Sequence, residues 1–369
     1  MKYYIIAGEA SGDLHGANLM RELAAQDAQA DFRFWGGDRM QAVGGLLRKH
    51  YRDLAFMGFV EVVLNIRTIV SNLKFCKEDI KAYKPDALIL IDYPGFNMRI
   101  AEWAKKEGIK VIYYISPQIW AWKQNRVHKL KRDVDRMLCI LPFEKDFYAR
   151  FDMEVDFVGH PLIDAIERSE NLKPEEHKKD LGLDSSKPVI AILPGSRKQE
   201  IQSMLPTMLK AGRKFKNHQM VLAMAPSQDL HFYKKVADLK DVATLSGKTY
   251  DLFEIADAAL VTSGTATLEA ALFEVPEVVC YKGNWISYHI ARQLIKVNYI
   301  SLVNLIADKE VVKEMIQADM NVAKLQKELE KCISNKSYFT EEYKKLKELL
   351  GGPGASQRAA KIIMEEVGA

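Results

Sequence analysis

The chain has 369 residues, of which 48% are hydrophobic and 28% are charged, and 53 basic against 49 acidic side chains give a net charge of +4. These values exclude a disordered chain, predict roughly two to three domains and do not require a nucleic-acid partner. No apolar stretch reaches the roughly 18 residues of a membrane span. The four cysteines lie far apart in the sequence, which favours a reducing compartment.

The first half of the sequence alternates short apolar segments with longer amphipathic ones. This alternation predicts βα units and a parallel sheet that is covered on both faces. The opening residues run directly into the first strand, so we expect no signal peptide. The predicted strands are Tyr3–Ala7, Phe32–Trp35, Ala87–Ile91, Val111–Ile115, Met137–Leu141 and Val155–Val158, and the predicted helices include Gly16–Ala25, Glu61–Ala82 and Ile100–Lys106.

A polar segment, Arg168–Asp180, interrupts the alternation and predicts a linker. A second α/β domain is expected after it, with strands at Val189–Leu193, Met220–Met224, Ala258–Thr262 and Val278–Tyr281. From Val311 the pattern is helical to the end, except for a break at Gly351–Gly354 before a last helix, Ala355–Val367. We predict domains at 1–167 and 181–345, with helix 355–369 packed on the first domain or on a partner subunit, and an active site in the cleft between the domains.

Two acidic residues follow predicted strands of the first domain. Glu9 lies in the turn Gly8–Asp13, whose small residues let the backbone approach a ligand, although a tight turn with Asp13 as a helix cap has the same pattern. Asp92 follows the strand Ala87–Ile91, a position that suits a general base and also a carboxylate that caps the next helix before Pro94. The turn lacks the GxGxxG pattern of dinucleotide-binding sites, which disfavours a dehydrogenase.

Aromatic and basic residues follow the next strand. The segment Ser116–Trp122 contains two tryptophans, and seven cationic or imidazole side chains occur between Lys123 and Arg136. This combination is typical of a surface that receives a phosphate-bearing ligand or an anionic membrane, and also of a solvated basic helix.

Two turns in the second domain have the composition of phosphate sites. Ser196 and Arg197 follow the strand Val189–Leu193, and an arginine there can donate two hydrogen bonds to a phosphate. Ser263 to Thr267 begin a helix after Ala258–Thr262, so N–H donors, hydroxyls and the helix dipole converge. Two such turns in one domain favour a nucleotide diphosphate. The residues concerned are Ser196, Arg197, Gly264, Thr265, Ala266, Thr267 and Glu269, the last as an acceptor for ribose hydroxyls, with Asn304 as a weaker candidate donor.

The stretch 56–70 is more apolar than one packed helix face requires. Its hydrophobic residues follow helical spacing, which is typical of a helix packed on a sheet and also of a helix at a membrane surface. The residues expected to face a membrane or acyl chains are Phe59, Val60, Val63, Ile66 and Val70.

Taken together, these motifs resemble bacterial lipid-A-disaccharide synthases over nearly the whole chain. The matching segments are Ala7–Asp13, Met57–Val62, Ile91–Asn97, Ser116–Trp122, Leu141–Lys145, Val158–Leu162, Leu193–Arg197, Ser263–Leu272 and Ile300–Ala307. The resemblance implies a GT-B fold, that is, two Rossmann-like parallel-sheet domains that face each other across a cleft. It also implies an inverting glycosyltransferase that works without metal or cofactor as a peripheral protein of the inner membrane's cytoplasmic face.

The implied reaction transfers 2,3-diacylglucosamine from its UDP-linked donor to 2,3-diacylglucosamine 1-phosphate, forming the β-1,6-linked lipid A disaccharide 1-phosphate and UDP. Matched by position, Asp92 is the implied general base and Glu9 the essential acid. Arg197 and Asn304 are implied to be needed for activity, and Ser263 to Glu269 to form the UDP site. We add Ser11 and Gln317 as substrate-binding candidates. The family's last helix also allows exchange between the subunits of a homodimer.

Two other classes of function remain open at this stage. Another GT-B UDP-sugar transferase or an epimerase would share the two phosphate-type turns, but the segments Ile91–Asn97 and Ser116–Trp122 argue against it. A non-enzymatic membrane-binding module would explain the apolar and basic segments, but not an acid at a strand end beside two phosphate-type turns. No His or Cys pattern of a metal site is present.

Overall fold

The computed structural model describes residues 1–54, 66–166, 174–283 and 297–368. The chain divides into two compact units. The first unit comprises Met1–Ala165 together with Leu350–Ala369, and the second comprises Ile166–Leu349. Each unit contains one parallel sheet.

The first unit is a seven-stranded sheet with helices between its strands. Its strands are β1 (Lys2–Ala7), β2 (Asp31–Gly36), β3 (Leu46–His50), β4 (Ala87–Ile91), β5 (Val111–Tyr114), β6 (Arg136–Cys139) and β7 (Asp156–Phe157). Its helices are α1 (Ala10–Gln26), α2 (Asp38–Val43), α3 (Ile66–Tyr83), α4 (Pro94–Lys106), α5 (Val127–Asp133), α6 (Glu144–Ala149) and α7 (Leu162–Ala165). The six predicted strands are confirmed within one or two residues, whereas β3 was not predicted.

The second unit has a six-stranded sheet. Its strands are β8 (Val189–Leu193), β9 (Gln219–Met224), β10 (Val242–Ser246), β11 (Ala256–Thr262), β12 (Glu277–Tyr281) and β13 (Lys313–Ile316). Its helices are α8 (Pro174–Asp180), α9 (Lys198–Gly212), α10 (Leu230–Val236), α11 (Thr249–Ile255), α12 (Thr265–Leu272), α13 (Leu302–Ala307), α14 (Val322–Ser334) and α15 (Lys336–Leu349). The last helix of the chain, α16 (Ala355–Val367), belongs to the first unit.

Three expectations about local structure are wrong. The segment after Val311 is not entirely helical, because Lys313–Ile316 pairs in parallel with β12 as an edge strand. The polar segment Arg168–Asp180 is not linker throughout, since its second half forms α8. Helices α1 and α4 begin six residues earlier than predicted, because their first turns contain glycines and polar residues that the hydrophobic period does not mark.

The order of the strands creates one special position in each sheet. The first sheet has the order β3-β2-β1-β4-β5-β6-β7, and the second has β10-β9-β8-β11-β12-β13. In both, the chain proceeds outward in opposite directions from a central pair of strands, β1 with β4 and β8 with β11. At such a switch point the connections after the two strands diverge and leave a crevice at the carboxyl edge of the sheet, which is where open α/β sheets bind ligands.

Helix α16 returns the end of the chain to the first unit. Asp164 accepts hydrogen bonds from the backbone N–H groups of Gly354 and Ser356 at 2.7 and 2.8 Å, so it caps the start of this helix. Lys110 pairs with Glu366 at 2.8 Å near its other end. The predicted break at Gly351–Gly354 and the predicted last helix are confirmed. Among the described residues, no helix is both long and apolar enough to cross a bilayer.

The sequence suggested that Asp13 caps the helix that contains it, but the structure shows a different role. It lies in the first turn of α1, almost fully buried, and its carboxylate accepts hydrogen bonds from the backbone N–H groups of Gly37, Met40 and Arg39 at 2.7, 3.1 and 3.1 Å. These groups begin α2, whose N-terminal N–H groups have no partner within the helix. Asp13 therefore ties α1 to α2 across the end of β2.

We expect Asp13→Ala to lower the free energy of unfolding by about 3 kcal/mol, since it leaves buried N–H groups without an acceptor. Asp13→Asn retains one acceptor oxygen and should lose roughly half as much. Urea denaturation followed by circular dichroism measures both variants. Equal stability of Asp13→Ala and the unaltered chain would contradict this role.

Candidate active site

The two predicted catalytic acids meet at the switch point of the first sheet. Glu9 follows β1 and Asp92 follows β4, and these two strands are parallel neighbours. The Glu9 carboxylate is exposed, lies at the start of α1 and makes no capping hydrogen bond there. It lies near enough to act electrostatically on Asp92 and on Tyr93.

The backbone that presents Asp92 is strained. Asp92 and Tyr93 have φ angles of 43° and 48°, in the left-handed region that non-glycine residues rarely adopt and that costs about 1–3 kcal/mol per residue. The Asp92 carbonyl oxygen accepts hydrogen bonds from the Tyr113 hydroxyl at 2.6 Å and from Asn97 Nδ2 at 2.8 Å. These two donors hold the turn in place. A Cβ atom on Gly8 would lie 2.4 Å from the Tyr93 ring, so only glycine leaves space for that ring.

The environment of Asp92 favours its protonated form. Burial raises its pKa to about 7, the negative charge of Glu9 adds to this rise, and a hydrogen bond from the Tyr93 N–H opposes it. A carboxylate whose pKa lies near neutral pH can both accept a proton and exist in its ionised form. Asp92 therefore has the position and the basicity of a general base.

A buried carboxylate organises the loop after β5, and its role was missed at the sequence level. Glu144 is fully buried and accepts hydrogen bonds from the Trp120 indole N–H at 3.2 Å and from the backbone N–H groups of Leu141 and Ile140 at 3.0 and 3.2 Å. Burial raises the pKa of Glu144 to about 7, against these hydrogen bonds. Glu144 thereby joins the Ser116–Trp122 segment to the turn after β6.

The basic residues after this loop divide into two groups. Lys131, Arg132 and Arg136 interact within the unit, with the Phe151 carbonyl, Asp133 and Asp156 respectively. By contrast, Lys123 and Arg126 stack against the ring of Trp122 at 4.3 and 5.7 Å, and that ring is 44% exposed. Trp122, Lys123 and Arg126 therefore form an aromatic and cationic cluster within the surface that the sequence suggested, beside the exposed His128 and Lys129.

A cavity of about 400 Å³ lies at the switch point of the second sheet. The turns after β8 and β11 form its walls. Of the predicted substrate-binding residues, those that line it are Ser196, Arg197, Gly264, Thr265, Ala266 and Glu269. The structure thus brings together two turns that lie almost 70 residues apart in the sequence.

The turn after β8 is shaped by an acid inside the following helix. Glu200 accepts hydrogen bonds from the N–H groups of Ser196 and Arg197, both at 3.3 Å. A Cβ atom on Gly195, whose φ is 104°, would lie 2.4 Å from the Glu200 carboxylate. The Arg197 guanidinium is 69% exposed at the cavity and lies 3.6 Å from Glu200, so it can reach an anion held there.

The turn after β11 supplies the other wall. It leads directly into α12, whose first N–H groups have no partner within the helix and carry its positive dipole end. Thr265 is exposed at this end, whereas the Thr267 hydroxyl is buried and donates to the Gly264 carbonyl at 2.8 Å. Burial raises the pKa of Glu269, on the cavity wall, to about 7. Its Oε1 lies 3.5 Å from the Tyr250 hydroxyl.

Asn304 does not line this cavity, and its amide group is occupied within the protein. Nδ2 donates to the Val312 carbonyl and to Glu314 at 2.8 and 3.0 Å, and Oδ1 accepts from the N–H groups of Val311 and Val312 at 2.8 and 3.0 Å. The residue is fully buried. These contacts connect α13 to the start of β13.

Glu314, on the strand that the sequence analysis did not predict, organises the same region. Its carboxylate accepts from the Ile300 and Ser301 N–H groups at 3.0 and 2.9 Å and from the Ser301 hydroxyl at 2.9 Å. The Ile300 carbonyl in turn accepts from the Ser263 hydroxyl at 3.0 Å. A chain of hydrogen bonds therefore runs from Glu314 to the turn after β11.

The remaining candidates do not line the cavity of the second sheet or are only partly described. Ser11 is exposed in the first turn of α1, two residues after Glu9. Gln317 accepts a hydrogen bond from the Gly283 N–H at 3.2 Å, while its Nε2 has no hydrogen-bond partner in the described part of the chain. Of the expected membrane-facing residues, Phe59, Val60 and Val63 lie outside the described residues, Ile66 begins α3, and Val70 is 59% exposed.

Comparison with known proteins identifies the family. The family model described as lipid-A-disaccharide synthetase matches residues 3–366. This chain belongs to that family. The lipid-A-disaccharide synthase of Syntrophus aciditrophicus is 41% identical over 366 residues, which cover 96% of this chain and 95% of the relative. The synthase of Trichlorobacter lovleyi is 39% identical over 373 residues, with 98% and 97% coverage. Members of this family are glycosyltransferases, so the predicted enzyme class is confirmed.

Solved structures confirm the predicted GT-B fold. The glycosyltransferase of kitacinnamycin aligns with a TM-score of 0.68 at 14% identity, covering 99% of each chain. The UDP-GlcNAc 2-epimerase of Neisseria meningitidis, bound to UDP-GlcNAc, aligns with a TM-score of 0.67 at 13% identity, covering 99% of this chain and all of the other. At such identities the likeness concerns the fold alone.

We expect Glu314→Ala to weaken the binding of UDP by about tenfold, or ~1.4 kcal/mol. The substitution removes the carboxylate that fixes the Ile300 backbone, and the Ile300 carbonyl is the acceptor for the Ser263 hydroxyl. Glu310→Ala is the matched control, since Glu310 is a nearby exposed acid that pairs with Lys313. Isothermal titration with UDP measures both. Unchanged affinity in Glu314→Ala would show that the hydrogen-bond chain does not shape the site.

Proposed function

We propose that this enzyme transfers 2,3-diacylglucosamine from its UDP-linked donor to the 6-hydroxyl of 2,3-diacylglucosamine 1-phosphate, with Asp92 as the general base. The single observation that carries the proposal is a half-buried carboxylate with a pKa near 7 at the switch point of the first sheet. Membership of the family supplies the substrates. The assay that tests it measures UDP release with donor and acceptor. Release from the donor alone would instead favour hydrolysis or epimerisation.

An inverting transfer is a single displacement at the anomeric carbon. Asp92 accepts the proton of the acceptor's 6-hydroxyl while the oxygen attacks, and the bond to the UDP oxygen breaks on the opposite face. Glu9 orients a hydroxyl of a substrate and keeps Asp92 basic through its negative charge. Asn97 and Tyr113 donate hydrogen bonds to the Asp92 carbonyl oxygen and hold its turn, so we propose them as positioning residues.

The departing diphosphate gains negative charge as the bond breaks. We propose that the N–H groups at the start of α12, together with Arg197, stabilise this charge without a metal ion. Ser196 and Thr265 add polar contacts to UDP, and the Glu269 carboxylate accepts hydrogen bonds from the ribose hydroxyls. Asn304 and Gln317 contribute by shaping the neighbouring backbone, because the hydrogen bonds of Asn304 are already satisfied within the protein.

The acceptor carries a 1-phosphate and two acyl chains. We propose that Lys123 and Arg126, held against the Trp122 ring, attract the phosphate or anionic lipid headgroups. The apolar segment 56–70 then contacts the acyl chains at the cytoplasmic face of the inner membrane, which makes the enzyme a peripheral membrane protein. The two subunits of a homodimer can exchange α16, so that the helix of one subunit packs on the first unit of the other. Asp164 would then make the same contacts with the exchanged helix.

We expect Asp92→Asn to reduce turnover by about 10²–10⁴-fold while UDP binding stays unchanged, since the amide cannot accept the proton. Asp86→Asn is the control, because Asp86 precedes the same strand at its opposite end and accepts from the Lys2 N–H. Full turnover in Asp92→Asn would refute its assignment as the base.

The pH dependence provides a second test of the base. The ionised form of Asp92 is the active one, so turnover should fall as the pH drops below about 7. Glu9→Gln removes a negative charge that raises this pKa, and the acid limb of the remaining activity should therefore move to lower pH. A limb that stays in place would show that Asp92 does not control it.

Replacement of Val60, Val63, Ile66 and Val70 by serine should release the protein from vesicles of anionic phospholipid while its folding is preserved. The physical reason is the loss of apolar area that the lipid would otherwise cover. Leu230→Ser combined with Leu349→Ser is the control, since both side chains are exposed in the second unit. Cosedimentation measures binding. If the fourfold variant still binds the vesicles, or if it unfolds, the result would favour a helix packed in the protein core over a segment that contacts the membrane.

A further inference from the structure

A second cavity lies in the second unit, on the opposite edge of the sheet from the UDP site. It has a volume of about 530 Å³. Glu277, which lines it, is the first residue of β12, whereas the carbonyl of Cys280 near the other end of β12 accepts from the Ser263 N–H of the UDP site. Strands β12 and β13 are parallel, and Lys313 at the start of β13 also lines the cavity. The cavity is therefore separate from the proposed active site.

Glu277 is the unusual feature of this cavity. Its side chain is fully buried, and neither carboxylate oxygen has a hydrogen-bond partner among the described residues. Buried polar groups in native proteins are nearly always partnered, and a buried carboxylate without donors is among the costliest groups to leave unsatisfied. A ligand that donates hydrogen bonds into the cavity would remove this cost.

The charges around Glu277 indicate the sign of that ligand. At the rim of the cavity, Lys313 pairs with Glu310 at 3.0 Å and Lys331 pairs with Glu328 at 2.9 Å. The charges of these four side chains therefore cancel. Among the residues that line the cavity, Glu277 is then the one acid without a cationic partner. A ligand with a single positive charge would pair with Glu277 in its ionised form.

The described titratable groups that act electrostatically on Glu277 give it no positive charge. Cys280 lies on its own strand, Cys332 on α14 and Tyr343 on α15, and burial raises the pKa of all three, so they are neutral. Two aromatic rings stand in the cavity wall, Tyr338 and Phe339, whose centroids are 5.3 Å apart. Tyr338 is 46% exposed. Aromatic faces attract cations and pack against short alkyl chains.

We propose that this cavity binds a small primary ammonium ion, whose N–H groups donate to the Glu277 carboxylate and whose alkyl chain lies against Tyr338 and Phe339. The proposal goes beyond the transfer reaction and does not depend on it.

Binding couples to the loss of one proton. Burial raises the pKa of Glu277 well above its ordinary value, so the empty cavity holds a neutral carboxyl group. When the ammonium ion enters, Glu277 gives its proton to the solvent and the two opposite charges pair, which leaves the charge of the site unchanged. While the free carboxyl is protonated, the affinity should therefore rise about tenfold for each pH unit. The amine itself stays protonated, since its pKa is near 10.4.

Isothermal titration of the full chain with n-butylammonium chloride tests the proposal. We expect saturable binding with a dissociation constant of about 1 mM, which is a reasonable affinity for a ligand of five heavy atoms. Titrations in phosphate and in HEPES, neither of which is a primary amine, should show the release of one proton, because these buffers differ in their heat of ionisation. Tetramethylammonium, which has no N–H donor, should bind at least about tenfold more weakly.

Glu277→Gln should abolish proton release and weaken butylammonium binding by at least about tenfold. Glu330→Gln is the matched control, because Glu330 is an exposed acid on α14 outside the cavity. If Glu277→Gln does not fold, Tyr338→Ala replaces it, since that exposed ring can be removed without loss of core, and it should also weaken binding. No binding, or equal binding in Glu277→Gln, would overturn the proposal and leave water as the occupant.

Discussion

The reversal of strand order in each sheet is the constraint on which the rest of this structure depends. In a parallel sheet all strands end at the same edge, and helices cover both faces, so that edge is where side chains can meet a ligand. Where the chain turns outward in opposite directions, between β1 and β4 and between β8 and β11, the loops separate. One unit places acids in this gap, and the other places N–H donors and an arginine there. The two crevices thus present different functional groups although their frameworks are alike.

The functional loops are held by buried or half-buried carboxylates and amides outside the crevices themselves. Asn97 fixes the strained turn of Asp92, Glu144 anchors Trp120, and Glu314 supports the backbone beside Ser263. Each is a polar group inside the protein that accepts or donates several hydrogen bonds, so removing it leaves several unsatisfied partners. This explains why motifs of the sequence contain acids and amides that play no direct part in chemistry.

Expectations from the sequence failed mainly at the sheet edges. Strands β3, β10 and β13 are short and half exposed, and their residues lack the continuous apolar run of central strands. Asp13 was read as a cap of its own helix, because local spacing cannot reveal that Gly37 and Met40 fold against it. Asn304 was expected to face a ligand, yet its contacts are with β13, a strand that the pattern did not predict.

Local sequence patterns were enough to predict the two α/β units, the ten most apolar strands and the turns that carry the candidate site residues. These features depend on the hydrophobic period and on glycine, hydroxyl and acidic residues at strand ends, which are local properties. The folded chain was needed to show which turns meet, why the pKa of Asp92 is about 7, and that Glu277 is buried without a partner among the described residues. Burial and strand order arise from contacts between segments that are distant in the sequence. The pKa values depend on burial and on neighbouring charges, so local sequence patterns do not reveal them.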